Sequence, residues 1–115
     1  MADACLFCRI VAGEIPAAVV HETPDTLAFR DINPRAPVHV LVIPRRHLSS
    51  IAELEALDIE LAGRLLLVAA EVARQEGIAD RGYRVISNVG AWGGQTVDHL
   101  HLHVMGGRAF HWPPG

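Results

Sequence analysis

Three histidines spaced two residues apart stand near the C-terminal end of the chain. In the segment 99–104, His99, His101 and His103 alternate with leucine or valine. A β-strand sends successive side chains to opposite faces, so the pattern predicts three imidazoles on one face and apolar residues in the core. Like-facing residues of a strand lie about 6.6 Å apart. Neighbouring imidazoles are therefore close enough to act on one ligand or one metal.

Such a row of imidazoles has three interpretations. It can be the polar face of an ordinary half-buried strand. It can bind a metal, because neutral imidazole is a frequent zinc ligand. It can also carry out nucleophilic catalysis, because a neutral imidazole is available near pH 7 and forms covalent intermediates. The neighbouring residues have to decide between these interpretations.

A glycine-rich segment, residues 88–98, comes directly before the histidines. Glycines permit positive φ angles and let main-chain N–H groups approach an anion closely. Thr96 adds a hydroxyl group to this segment. The combination suggests a phosphate site, although paired glycines are also common in turns.

Cys5 and Cys8 form a C-x-x-C pair at the other end of the chain. A structural disulfide is not expected in a reducing compartment, and no βαβ pattern supports a redox pair. Two thiolates at this spacing can bind zinc, but they make only half of a site. Two buried free cysteines are the alternative.

The length predicts one domain over residues 1–115, and the pattern of hairpins plus one long helix described below predicts an α+β fold. Half of the residues are hydrophobic, 20% are charged, and the net charge of −3 argues against general nucleic-acid binding. The segment Met1 to Asp3 is acidic and the next apolar stretch contains Arg9 and Glu14, so no signal peptide is predicted. The longest apolar run of the helical segment is too short for a membrane span. A cytoplasmic protein is expected.

Sequence periodicity predicts a short N-terminal helix that ends before Pro16, one long helix and a mainly antiparallel sheet. Asp58 is expected to cap the long helix and Gly77 to end it. Leu66 and Leu67 lie off its apolar stripe, which predicts either a subunit interface or a wide core face. The expected strands are residues 19–21, 27–31, 38–44, 82–88 and 99–104.

The histidine segment, with Gly94-Gln95-Thr96 before it and Gly106-Gly107-Arg108 after it, resembles the signature of the histidine triad (HIT) superfamily. The ending His111-Trp112-Pro113-Pro114-Gly115 is similar to that of the nucleoside phosphoramidase branch, the histidine triad nucleotide-binding proteins. The resemblance extends from about Cys5 to the last residue. It implies a HIT-like fold with a five-stranded sheet that becomes continuous with a second sheet across a homodimer.

The resemblance also implies a reaction, the hydrolysis of purine nucleoside 5′-phosphoramidates through a covalent nucleotidyl-histidine intermediate. His101 would be the nucleophile, and His103 would stabilise the developing oxyanion together with the N–H groups around Gly94 to Thr96. The Thr96 hydroxyl would help to protonate the leaving amine. His39 would stand behind the triad and orient it, with a core histidine as the alternative.

For the nucleotide, the resemblance implies a base pocket, a ribose contact and a contribution from a second subunit. The alternatives are plain core packing for the residues around the base, a turn carboxylate for Asp31 and a C-terminal packing anchor for Trp112. Asn88 would hold phosphate or ribose, and Trp112 would reach the active site of the partner subunit. The implied binding residues are Ile15, Phe29 and Ile32 around the base, Asp31 at the ribose, and Asn88, Gly94, Gln95, Thr96, His101, His103 and Trp112.

Some bacterial members of the superfamily carry zinc, and their ligand types stand in matching places here. The resemblance adds His47 and His99 to Cys5 and Cys8, which predicts a structural zinc and no organic cofactor. Asp98 stands close to the triad in sequence and is expected to raise the pKa of a neighbouring imidazole. A nucleotide-binding sensor with little turnover and a metal-dependent phosphohydrolase are the alternative functions, and neither nucleic acid nor membrane is an expected partner.

Overall fold

Five antiparallel strands form one sheet in the computed structural model, which describes residues 4–115. The acidic segment Met1 to Asp3, on which the expectation of no signal peptide partly rests, lies outside the described residues. The elements in chain order are helix α1 (Leu6–Val11), strands β1 (Val19–Glu22), β2 (Thr26–Arg30) and β3 (Val38–Pro44), helix α2 (Ile59–Gln75), and strands β4 (Arg84–Ile86) and β5 (Leu102–Gly106). Two short 3₁₀ turns, Ile51–Glu53 and Ala56–Asp58, precede α2.

The strand order is β1-β2-β3-β5-β4, so β3 is central and β1 and β4 are the edges. β3 is buried along almost its whole length, as its run of valine, leucine and isoleucine predicts. Val40 pairs with Val104 of β5, and Val42 pairs with Ala28 of β2. The predicted α+β fold, with an antiparallel sheet, one long helix and a short N-terminal helix, is confirmed.

Helix α2 packs its apolar stripe on one face of this sheet. Leu65, Val68 and Val72 are buried there against the strands. The predicted end at Gly77 agrees with its φ of +73°, a conformation that costs glycine little. Leu66 and Leu67 are 61% and 70% exposed, so the wide-core interpretation is wrong for this helix. Among residues 4–115, no helix combines the length and apolar character that crossing a bilayer requires.

Asp58 stands at the N-cap position of α2, as predicted, but its side chain does not cap the helix. Its carboxylate accepts hydrogen bonds from the Glu55 backbone N–H at 2.9 Å and from the Arg46 guanidinium at 2.6 Å. It makes no side-chain hydrogen bond to the first turn of α2. The 3₁₀ turn at Ala56–Asp58 places the carboxylate toward residues that precede the helix, and the Arg46 partner holds its pKa below the usual value.

The opposite face of the sheet carries α1 and the histidines. Phe7 of α1 packs there with Phe29, Leu41 and Ile43 in a second apolar cluster. Leu100, Leu102 and Val104 belong instead to the cluster under α2. The predicted separation of imidazoles and apolar side chains onto two faces is therefore present.

Two strands are shorter than the alternation predicts. The chain bends at residues 97–99, and Leu100 donates its N–H to the Leu48 carbonyl outside the sheet, so β5 begins only at Leu102. Next to β4, the Ser87 hydroxyl rather than a backbone amide donates to the His101 carbonyl at 2.8 Å. Before β5 the side-chain alternation continues beyond the paired segment, because Leu100 packs in the cluster under α2 while His99 and His101 pack against Phe7.

Candidate functional site

His101 is buried on the α1 side of the sheet and has one nitrogen committed to the backbone. Its Nδ1 lies 2.6 Å from the carbonyl oxygen of His99. A carbonyl only accepts, so Nδ1 must carry the proton and donate it, which leaves Nε2 with a free lone pair. The ring borders an open cleft and packs against His103 with centroids 4.9 Å apart.

His103 is held by a second hydrogen-bonded chain that runs through His39. The Arg35 backbone N–H donates to His39 Nδ1 at 2.9 Å, so His39 carries its proton on Nε2. That Nε2 lies 2.9 Å from His103 Nδ1 and 3.4 Å from an oxygen of Asp31. His103 Nδ1 therefore accepts, and its own proton is on Nε2. The chain fixes a tautomer in which His103 offers an N–H donor.

Asp31, His39 and His103 also lie close enough to be considered as metal ligands. The tautomers argue against that use of His39, because its Nδ1 already accepts an N–H and its Nε2 carries the proton. A neutral imidazole needs a free lone pair to ligate a metal. The trio is better described as a hydrogen-bonded relay than as a metal site.

Burial favours the neutral forms of His39, His99 and His103. It is the main cause that lowers the pKa of His103 to about 4, with the neighbouring His101 and His39 acting in the same direction and Asp31 against it. Burial also lowers the pKa values of His39 and His99. The expectation that Asp98 raises the pKa of a neighbouring imidazole is therefore wrong for His99 and His103, because Asp98 is exposed and burial dominates.

The depressed pKa of His103 predicts how stability depends on pH. The unfolded histidine titrates near about 6.5, so below that pH the unfolded state binds more protons than the folded state. The free energy of unfolding should be highest above about pH 6.5 and fall as the pH is lowered toward about 4. Urea unfolding at pH 7, 6 and 5 measures the trend, which should be shallower in His103→Asn than in the exposed control His111→Asn. Equal slopes in the two variants would contradict the assignment.

The cleft in front of His101 and His103 has a volume of about 540 Å³. Its floor is Phe29 and Leu41, and Thr96 stands at its edge. The sequence-predicted residues that meet here are Ile15, Phe29, Asp31, Ile32, Thr96, His101 and His103. Because the resemblance assigns these residues to a nucleotide, we call this space the nucleotide cleft.

Leu6, Phe7 and Ile10 of α1 also line the nucleotide cleft, and the sequence analysis did not single them out. Their spacing gave only a weak signal, because Ile10 stands four positions from Leu6 and three from Phe7 on a helix of only six residues. The cysteines on either side of Leu6 and Phe7 directed attention to metal binding instead.

Asn88 and Trp112 lie apart from the nucleotide cleft. They border a second cleft of about 730 Å³, with Gly93 and the C-terminal residues on its walls. His103 borders both clefts, so the two meet at the imidazoles. Trp112 is 84% exposed within residues 4–115, so the interpretation as a packing anchor is wrong for the described chain.

Gly94 and Gln95 do not border either cleft, and Gln95 has a different task from the expected ligand contact. Its side-chain amide donates to the carbonyls of Ser49 and Val97 at 2.6 and 2.9 Å, and its side-chain oxygen accepts from the Gly90 N–H at 3.0 Å. The backbone N–H of Gln95 returns to the Gly90 carbonyl. Gln95 therefore braces the glycine-rich loop from inside.

Gly93 has no room for a side chain within this braced loop. A Cβ at this position would stand 2.3 Å from the Val89 carbonyl oxygen, which is backbone and cannot rotate away. We expect Gly93→Ala to shift the loop. For the phosphoramidate hydrolysis that the resemblance implies, kcat/KM should fall by about 10²-fold, the typical cost of losing a preorganised donor. The exposed neighbour variant Ala91→Ser should keep near-normal kinetics. Identical rates for both variants would show that the loop does not position catalytic groups.

Cys5, Cys8, His47 and His99 bring four ligand atoms to one place, and we call this group the Cys/His cluster. Nδ1 of His99 lies 3.3 Å from Sγ of Cys5, 3.6 Å from Sγ of Cys8 and 3.2 Å from Nδ1 of His47. Sγ of Cys8 lies 3.3 Å from Nδ1 of His47. Tetrahedral zinc with bonds of about 2.0 Å to nitrogen and 2.3 Å to sulfur separates its ligand atoms by about 3.3 to 3.8 Å. The four donors fit a closed Cys₂His₂ site.

The tautomer of His99 also supports metal binding by the Cys/His cluster. Its Nε2 lies 2.9 Å from the Pro44 carbonyl oxygen and must donate to it, which leaves the Nδ1 lone pair facing the two sulfurs. A backbone carbonyl behind a ligating imidazole is the usual orienting partner of a metal-bound histidine. Since all four protein donors converge, no position remains for a catalytic water.

Known proteins share the sequence and the fold of this chain. A family model described as "HIT domain" matches residues 12–110. An uncharacterised HIT-like protein of Synechocystis is 52% identical over 115 residues, which cover the whole of both chains. The "14 kDa zinc-binding protein" of Zea mays is 51% identical over 112 residues, 96% of this chain and 87% of that one. A crystal structure of a HIT family hydrolase from Legionella pneumophila has a TM-score of 0.94 and 50% identity, and the match covers 96% of this chain and 99% of that one.

Proposed function

Because the chain belongs to the HIT domain family, we propose that it is a nucleotidyl hydrolase that cleaves purine nucleoside 5′-phosphoramidates. Solved structures of the same fold are named HIT family hydrolases, which supports hydrolysis in general. The observation that carries the more specific proposal is the hydrogen bond from His101 Nδ1 to the His99 carbonyl. It leaves an unprotonated Nε2 on a buried imidazole that borders the nucleotide cleft.

His101 Nε2 attacks the α-phosphorus of the substrate. A bond from imidazole nitrogen to phosphorus forms while the phosphorus–nitrogen bond to the leaving amine breaks, and the amine takes up a proton. The Thr96 hydroxyl, at the exposed edge of the cleft, donates that proton and regains one from solvent. Water then attacks the nucleotidyl-histidine, releases the nucleoside monophosphate and restores the imidazole. One phosphorus–nitrogen bond replaces another in the first step, so the intermediate is not a deep energetic trap.

The relay through His39 gives His103 its role. With Nδ1 accepting from His39, His103 directs its Nε2–H toward the clefts and can donate to a phosphate oxygen as negative charge develops. The backbone N–H of Thr96 can add to the same stabilisation once phosphate is bound, whereas the N–H groups of Gly94 and Gln95 already donate to the Ala91 and Gly90 carbonyls. Each such donor typically contributes about 10²–10³ in rate.

The nucleotide cleft suits a purine nucleoside. Ile15, Phe29 and Ile32 offer apolar surface to the base, and the Ile32 side chain is 91% exposed. The Asp31 carboxylate, at the same cleft, can accept the ribose hydroxyls. Asn88 lies on the far side of His103, where it can hold phosphate or the leaving group.

The Cys/His cluster supplies the metal part of the proposal. Cys5, Cys8, His47 and His99 would hold zinc, which cross-links the N-terminal segment to the sheet when it is bound. The donor geometry and the name of the maize relative, a zinc-binding protein, support this assignment. No catalytic step passes through this site.

We further propose a homodimer. Edge strand β4 leaves one side unpaired within the described chain, and α2 exposes Ile59, Leu66 and Leu67 as one apolar strip. Sedimentation equilibrium should give a dimer for the wild type and for Glu71→Gln, and a monomer for Leu67→Glu. A monomeric wild type would refute the proposal.

The release of AMP from adenosine 5′-phosphoramidate tests the function directly. Purified protein should release AMP, and turnover should survive a strong chelator while the fold is retained. Loss of turnover on chelation with an intact fold would instead assign the chemistry to a metal. Tight AMP binding without any release would identify a nucleotide sensor.

A further inference from the structure

We infer that metal binding by the Cys/His cluster and nucleotide binding in the nucleotide cleft are linked through Phe7, so that each ligand tightens the binding of the other. The inference rests on the proposed function, because it needs the cleft to bind a nucleotide. It assigns Phe7 a positioning role for His101. It also gives the metal a role in the active site although no reacting atom touches it.

Phe7 stands between the two cysteines in sequence and between the two sites in space. Its buried ring meets His101 edge to face, with centroids 5.3 Å apart and an interplanar angle of 89°. It meets Phe29 at 5.5 Å and His99 at 5.8 Å in similar geometry. A single side chain thus contacts the nucleophile, the wall of the base pocket and a ligand of the metal. These aromatic contacts are directional, so a shift of the Phe7 ring also shifts its neighbours.

The rest of α1 moves with Phe7, because Leu6 and Ile10 on the same short helix also border the nucleotide cleft. A helix of six residues is not stable by itself and depends on what anchors it. Cys5 caps this helix by accepting the Cys8 N–H on its sulfur, and Cys8 lies in its first turn. Ligation of both thiolates therefore fixes the position of one whole wall of the cleft.

His99 provides a second connection between the same two sites. Its side chain belongs to the Cys/His cluster, whereas its backbone carbonyl accepts the Nδ1–H of His101. The Pro44 carbonyl holds the other ring nitrogen. Metal ligation thus restrains the residue that orients the nucleophile.

These contacts predict positive cooperativity. A bound metal orders α1 and the His99 backbone, so nucleotide binding no longer has to order them. Coupling of this kind is reciprocal, and the two affinities must change by the same factor. Typical couplings correspond to about 5- to 150-fold in affinity.

Calorimetric titration of AMP into zinc-loaded and zinc-stripped protein tests the linkage. We expect AMP to bind about tenfold or more weakly to the stripped protein. Zinc affinity, measured against a competing chelator with and without saturating AMP, should change by the same factor. Equal AMP affinities in the two forms, with the fold verified by circular dichroism, would overturn the inference and leave the proposed function intact. A zinc-loaded protein that fails to bind AMP would remove both.

Phe7→Leu isolates the connecting side chain. The loaded variant should retain one zinc per chain but bind AMP severalfold more weakly than the loaded wild type, and its two affinities should no longer be coupled. Val11→Ala is the matched control, because Val11 packs against the same apolar cluster from the same helix without bordering the cleft. Zinc content and AMP affinity are both measured on the zinc-loaded proteins, so this comparison remains informative if the zinc-stripped protein unfolds. Equal AMP affinity in loaded Phe7→Leu and loaded Val11→Ala would overturn the role of Phe7.

Discussion

Replacing His101 with asparagine is expected to lower the turnover of adenosine 5′-phosphoramidate by roughly 10⁴-fold or more, the scale seen when a covalent nucleophile is removed. The asparagine side chain fits the space of the imidazole, and its amide can still donate to the His99 carbonyl that His101 uses. The fold and the binding of AMP should therefore survive. Single-turnover kinetics and AMP titration of the same preparation measure the two properties separately.

The matched control is His111→Asn, because His111 is exposed and borders neither cleft. It should leave turnover unchanged. His103→Asn should fall between the two, with a loss of about 10²–10³-fold from one missing donor. Turnover of His101→Asn within a few-fold of the wild type would remove the nucleophile assignment.

Replacing Cys5 and Cys8 together with serine is expected to remove bound zinc and to lower the melting temperature by on the order of 10 °C. The free energy of metal binding contributes directly to folding when the ligands come from distant parts of the chain. Here they join the N-terminal helix to the end of β3 and to the triad segment. Elemental analysis and thermal unfolding of the same samples provide the two readings.

A chelator supplies the control for this experiment. Stripped wild type should melt near the temperature of the double variant, whereas the variant itself should not respond to chelation. Wild-type protein that is purified without zinc, or that melts at an unchanged temperature after chelation, would contradict a structural metal.

The sequence was sufficient to predict the sheet, the long helix and the grouping of the imidazoles. The period-two alternation around His101 and the apolar run of β3 leave few other arrangements, because a shift by one residue would turn the histidines toward helix α2 and the leucines toward the face that carries α1. The four donors of the Cys/His cluster were also grouped correctly, through the resemblance rather than through spacing. His47 is separated from Cys8 by three strands, and no local pattern connects them.

The details that the sequence did not predict depend on contacts between distant segments. Gln95 was expected to contact the ligand, but its side-chain amide donates to the Ser49 carbonyl. Nothing in the local sequence indicates that Ser49, in the segment after β3, lies beside the glycine-rich loop. Leu6 and Phe7 were overlooked because helix α1 is too short to show a periodic pattern. Asn88 and Trp112 lie across His103 from the base pocket, a placement that only the three-dimensional path of the chain reveals.

The two apolar clusters on opposite faces of the sheet allow thermal stability and substrate selection to change independently. One cluster, under α2, holds no residue to which a chemical role has been assigned, while the other carries the histidines and the cleft. Leu65 and Val72 belong to the cluster under α2 and do not border the nucleotide cleft, and substitutions at sites that share no partners usually combine additively in free energy. Repacking Leu65 or Val72 should therefore change the thermal tolerance of the protein without altering which substrate it selects, and selection can act on the two properties independently.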